Sequence, residues 1–148
     1  MPINTLDIAC ADDDQDDRML FKEALQEVRA NTNLSLFKNG KELMDYLTLP
    51  NIQLPAIVFM DLNMPIMNGM QCLTEIRSNA KLKNLIVAIY STSSSENDIE
   101  ETFINGANIY INKPNNFGAL KKVIGKILQL NWQYRTATRN RDDFLLRI

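Results

Sequence analysis

Short apolar runs alternate along the chain with stretches in which apolar residues recur every three or four positions, and this alternation is repeated five times before residue 130. The runs predict strands over Leu6–Ala11, Leu34–Phe37, Ala56–Met60, Leu85–Tyr90 and Ile109–Ile111. The third and fourth, AIVFM and LIVAIY, are continuously apolar, as strands covered on both faces are, which puts them in the middle of a sheet. The intervening patterns predict helices with inward faces of Leu20, Ala24, Leu25 and Val28, then Leu43 and Leu47, then Met70, Leu73 and Ile76, then Ile99 and Phe103. In the fifth, Leu120, Val123, Ile124, Ile127 and Leu128 fall at i, i+3, i+4, i+7 and i+8.

Five strand-helix units predict an α/β fold, a parallel sheet with right-handed crossovers and helices on both faces. Proteins of this architecture bind ligands beyond the carboxyl ends of their strands, where the strand order reverses. The residues that end the predicted strands are polar: Asp12 and Asp13, Asp61, Ser91 and Thr92, and Lys113. No Gly-, Ser- or Pro-rich linker divides the chain and no internal repeat is visible. A single domain over residues 4–130 and a C-terminal extension over 131–148, too short to be a second domain, is the expected organisation.

Composition changes this picture little. Of 148 residues, 45% are hydrophobic and 23% charged, which is ordinary for a soluble globular chain with a real core. The first residues, MPINTLDIAC, lack a basic flank and a long apolar run, and no stretch has the roughly 20 apolar residues a membrane helix needs, so a cytoplasmic protein is expected. Two cysteines, Cys10 and Cys72, read as buried thiols rather than a disulfide framework, and without histidine or a Cys-x-x-Cys pair structural zinc is not expected.

Charge distribution changes it more. Residues 1–112 hold 8 Lys/Arg against 16 Asp/Glu, whereas residues 113–148 hold 8 against 2. Five aspartates crowd into positions 12–17, in ADDDQDD. Asp14, Asp16 and Asp17 are accounted for by helix capping and by the macrodipole of a first turn. Asp12 and Asp13 precede the helix, and two carboxylates beside Asp61 would raise pKa values or cost stability unless a cation joined them. Asp12, Asp14, Asp16, Met19 and Glu23 partly match a calcium-binding EF-hand register, but Asp17 stands where that loop needs glycine, and a strand precedes it instead of a helix. Mg²⁺ fits better, because it takes a few hard oxygens, keeps several waters and completes its shell with phosphate oxygens.

ADDD after the first strand, FMDLNMPIMNG around the third, YSTSS after the fourth and YINKP after the fifth together resemble the receiver domain of bacterial two-component response regulators. The spacings agree, with Asp61 30 residues before Ser91 and 52 before Lys113. The resemblance implies a flavodoxin-like, doubly wound five-stranded sheet of order 2-1-3-4-5. It implies a signalling phosphoacceptor rather than an enzyme proper, with Asp61 phosphorylated from the phosphohistidine of a sensor histidine kinase. Asp12, Asp13, Asp61 and the backbone carbonyl of Asn63 would hold Mg²⁺, Asp12 acting mainly through a bound water. Lys113 would meet a phosphoryl oxygen, aimed by a cis peptide bond at Pro114. Ser91 and Tyr110 would be the switch pair, rearranging a face made of the fourth helix, fifth strand and fifth helix, and Asn63 and Ser93 would tune dephosphorylation.

TSSSENDI and the short tail are similar to single-domain regulators associated with bacterial phytochrome kinases, which implies a homodimer with Trp132, Tyr134 and Phe144 to Leu146 as candidate contacts, and output through a downstream protein or a phosphotransfer partner. Two rival readings stand beside this one. Lys121, Lys122, Lys126, Arg135, Arg139 and Arg141, interleaved with Trp132 and Tyr134, could bind nucleic acid, although such a run is more often a solvated face. A Mg²⁺-dependent phosphatase could use Asp61 as nucleophile, but Asn63 occupies the position where such enzymes carry a second aspartate as acid and base.

Overall fold

In the computed structural model, which describes residues 5–130 and 143–146, the continuously apolar runs lie at the centre of the sheet. The elements are β1 (Leu6–Ala11), α1 (Gln15–Val28), β2 (Thr32–Phe37), α2 (Gly40–Leu47), β3 (Ile57–Met60), α3 (Gly69–Ser78), β4 (Ile86–Ser91), α4 (Glu96–Ile104), β5 (Ile109–Asn112), α5 (Phe117–Leu128) and β6 (Leu145–Leu146). All pairings are parallel, in the order β2-β1-β3-β4-β5-β6. The five-stranded part is the flavodoxin-like order 2-1-3-4-5 that the motifs imply, and β6 is an addition at the β5 flank.

The period of two along each strand separates two cores. Ala9, Ala11, Val58, Met60, Val87, Ile89 and Tyr110 face α2, α3 and α4. Ile8, Cys10, Ile57, Phe59, Ala88, Tyr90, Ile109 and Ile111 face α1 and α5. A one-residue slip of any central strand would exchange these sets, so the register is specified from both sides at once.

The inward face of α1 is Phe21, Ala24 and Leu25, fully buried, with Val28 half-buried; Leu20, predicted to point inward, is exposed. The i, i+3, i+4, i+7 stripe therefore begins one residue later, because Phe21 fills the space against Phe59 and Tyr90 with ring centroids 4.8 and 5.8 Å away. Both cysteines are buried and free, and burial pushes the Cys72 thiol up to about 12.

Strand β6 has no counterpart in the hydrophobic pattern. The Tyr110 N–H donates to the Phe144 carbonyl at 2.8 Å, and Tyr110 and Ile111 pair with Leu145 and Leu146. The Phe144 ring is fully buried, edge-on to Phe103 and Tyr110 at 5.2 and 6.2 Å between centroids. Phe144, a candidate dimer contact on sequence grounds, is thus part of the chain's own core. Trp132, Tyr134, Arg135, Arg139 and Arg141 lie outside the described residues.

Candidate functional site

The sheet delivers the strand-end side chains on a fixed backbone. Asp12 N–H donates to the Phe37 carbonyl (3.0 Å), Asp61 N–H to Ala11 (3.0 Å) and Lys113 N–H to Ser91 (2.8 Å), so each residue still belongs to the ladder when its side chain leaves the sheet. Asp14 caps α1 by accepting from Asp17 N–H at 3.0 Å, which turns the acidic segment into a helix at once and leaves no EF-hand loop. After Asp61, the chain folds back so closely that a Cβ on Gly69 would collide with the Asp61 carbonyl. This close approach gives the glycine its reason in that loop.

The Lys113 ammonium lies inside the resulting mouth. It donates to Asp17 Oδ2 and Asp61 Oδ2, each at 2.9 Å, lies 2.7 Å from Asp12 Oδ2, and rests 5.3 Å from the centroid of the Tyr90 ring. Its side chain is 8% exposed. Burial by itself would favour the neutral amine, but the ion pairs with Asp12, Asp17 and Asp61 outweigh it and raise the lysine above its ordinary pKa, so it stays a cation. The Lys113–Pro114 bond is trans, since no described peptide bond is cis. The expected cis bond is absent, and the lysine reaches the carboxylates from a trans peptide.

Asp12 is 1% exposed, and burial raises its pKa against the opposing influence of Lys113. Its Oδ1 accepts from Asp14 N–H at 3.0 Å. Its Oδ2, although at ion-pair distance from Lys113, is not aligned as a hydrogen-bond acceptor and is the one buried side-chain polar atom among the described residues left without such a bond. Carboxylate oxygens of Asp12, Asp13 and Asp61 fall within 4.8 Å of one another. Asp13 is exposed, which leaves the group open to solvent on one side. A hard divalent cation fits this donor set: oxygen-only ligands that converge within 4.8 Å, two of them buried, and an exposed side open to waters.

Asn63 is exposed, and its backbone N–H donates to Asp61 Oδ1 at 3.3 Å. Ser91 is fully buried, its Oγ accepting from Ser93 N–H at 3.1 Å. Tyr110, also fully buried, donates its hydroxyl to the Ser93 carbonyl at 2.8 Å, and burial raises its pKa. Ser91 and Tyr110 are therefore linked through the backbone of Ser93. The Ser93 hydroxyl donates to Asp98 Oδ2 at 2.7 Å, in the first turn of α4. Thr92 is exposed.

Asp17 is the member that the sequence reading did not bring to the site. Capping and the helix dipole explained it locally, and its reach to Lys113 depends on how α1 leaves β1, which no local spacing encodes.

The chain matches the response regulator receiver domain over residues 8–125. It is 28% identical over 130 residues to the probable methanogenesis regulatory protein FilR2 of Methanothrix harundinacea, covering 84% of each chain. It is similar to the crystal structure of the phosphorylated cyanobacterial phytochrome response regulator RcpA (30% identity, TM-score 0.77, covering 84% of this chain and 91% of that one). It is also similar to the Mn²⁺-bound form of response regulator Rcp1 (27% identity, TM-score 0.76, covering 86% and 94%), a protein of Synechocystis sp.. The fold, the acidic mouth and these matches have one conclusion: the chain belongs to the response regulator receiver family and is a phosphoacceptor of two-component signalling.

Proposed function

We propose that Asp61 receives the phosphoryl group, that Asp12, Asp13 and the Asn63 carbonyl join it in holding Mg²⁺, and that a sensor histidine kinase is the donor. The observation that carries this reading is Asp61 itself: almost buried, hydrogen-bonded to the Lys113 ammonium and grouped with two carboxylates that need a cation. A carboxylate oxygen of Asp61 attacks phosphorus, the phosphorus–nitrogen bond of the donor breaks, and the leaving imidazole takes up a proton. Lys113 supplies positive charge to the transferred group. A bound Mg²⁺ supplies further neutralisation of charge on the phosphoryl oxygens.

Output is proposed to run from Ser91 through Ser93 to Tyr110, and so to α4, β5 and α5, where a partner protein would be engaged. The likeness to RcpA, a cyanobacterial phytochrome response regulator, supports a phytochrome-type kinase as donor. A homodimer is part of the proposal, with Trp132 and Tyr134 as its contacts. Phe144 and Leu145, packed on their own core, are proposed instead to cover the flank of β5. The Lys121 ammonium pairs with Glu27 at 3.2 Å and lies over the Phe117 ring, which favours a solvated helix face over a nucleic-acid surface. Asn63 at the second position after Asp61 disfavours the phosphatase reading.

Incubation with Mg²⁺ and acetyl phosphate, followed by intact mass measurement, tests the proposal. A labile phosphoryl adduct is expected in the wild type, lost in Asp61→Asn and lost on chelation. An adduct that survives Asp61→Asn would remove Asp61 from the role.

A further inference from the structure

Lys113 reaches the mouth on a long side chain and has three ammonium protons. Two of its three carboxylate neighbours are committed elsewhere by the chemistry proposed above, on which this inference rests. Asp61 Oδ2, which holds Lys113 at 2.9 Å, belongs to the group that becomes bonded to phosphorus. Asp12 Oδ2, at 2.7 Å but not aligned as an acceptor, belongs to the cation-binding set. A lysine anchored by these two alone would lose both anchors at the moment its charge is needed.

Asp17 is differently placed. It is absent from the group of carboxylates that converge within 4.8 Å. Its backbone is pinned by the Asp14 cap, in the first turn of α1. Its Oδ2 accepts from Lys113 across 96 residues of sequence, at 2.9 Å. We infer that Asp17 is a positioning residue for Lys113, a third carboxylate that holds the ammonium at the mouth while Asp12 and Asp61 change partners. One proton of Nζ stays with Asp17, and the others turn to the transferred group. The neighbouring Asp16, equally acidic and in the same turn, has no such contact with Lys113, so it shares any effect on the helix dipole without sharing this one.

The experiment compares the wild type with Asp17→Ala, Asp17→Glu, Asp16→Ala, Lys113→Met and the Asp17→Ala/Lys113→Met pair, by intact-mass time courses with Mg²⁺ and acetyl phosphate. Asp17→Ala is expected to slow adduct formation about tenfold, a loss of about 1.4 kcal/mol of barrier lowering. Asp17→Glu should recover most of it, Asp16→Ala should leave it unchanged, and Asp17→Ala should add nothing once Lys113 is methionine. In protein labelled with ¹⁵N and saturated with Mg²⁺ and beryllium trifluoride, the slowly exchanging Lys113 ammonium signal of the wild type should be lost in Asp17→Ala, whereas in the metal-free form, where Asp12 and Asp61 still hold the ammonium, it should persist in both. Should Asp17→Ala fail to fold, Asp17→Asn takes its place in every arm. A rate that is unchanged or faster without Asp17, or an equal loss in the Lys113→Met background, overturns the inference while leaving the phosphoacceptor reading intact. A wild type that takes no phosphoryl group overturns both.

Discussion

The mouth of the sheet and the flank of β5 are held together by opposite means. At the mouth, Asp12, Asp17 and Asp61 surround one ammonium, Asp13 stands nearby, and a buried carboxylate oxygen is left without a hydrogen bond. At the flank, Phe144 packs between Phe103 and Tyr110, and the tyrosine hydroxyl has its acceptor in Ser93. The first region is under electrostatic tension that a cation would relieve, and the second is satisfied as it stands. Stability and function thus draw on separate places, as they do wherever a binding site is assembled at the expense of the fold that carries it.

The sharpest way to break this contrast is to remove the ammonium that Asp12, Asp17 and Asp61 share. Lys113→Met leaves buried carboxylates uncompensated and should cost about 3–5 kcal/mol in chelator, measured by urea unfolding. Millimolar Mg²⁺ should recover much of the loss, because a cation then replaces the ammonium. The corresponding change at the flank, Phe144→Ala, should cost about 3 kcal/mol by the same measurement and be indifferent to Mg²⁺. A Mg²⁺-dependent loss at Phe144 would mean that the two regions are not separate.

A smaller effect of opposite sign is expected from Asp12→Asn. Asp12 is raised above its ordinary 3.8 chiefly by burial, so the folded state binds its proton more tightly than the unfolded chain does. Its contribution to stability is therefore full below 3.8 and is lost as pH rises from there through the raised value. Metal-free Asp12→Asn should be more stable than the wild type at pH 7, lack that part of the pH dependence, and gain less from Mg²⁺ in thermal unfolding.

How legible each region was follows from the same contrast. Chemistry at the mouth demands particular residue types at the ends of particular strands, so Asp12, Asp61, Ser91 and Lys113 could be read from ADDD, FMD, YS and NKP once AIVFM and LIVAIY had fixed the sheet. Asp17 was hidden because a helix cap accounted for it locally, while its reach to Lys113 depends on how α1 leaves the strand. Leu20 and Phe21 were confused because neighbouring apolar residues offer two stripes, and the cavity beside Phe59 chooses between them. A two-residue strand such as β6 has no period to detect, and Phe144 finds its place only after β5 and α4 exist.

The sixth strand also changes what the molecule can offer to neighbours. Parallel sheets end in rows of unpaired amide and carbonyl groups that invite another chain to zip on. With Leu145 and Leu146 seated, the row is covered at Tyr110 and Ile111, the middle of β5, and among the described strands β2 forms the opposite border. Lifting those residues away would bare a backbone template and a large aromatic ring in a single motion, so solubility and the tyrosine's environment would change together.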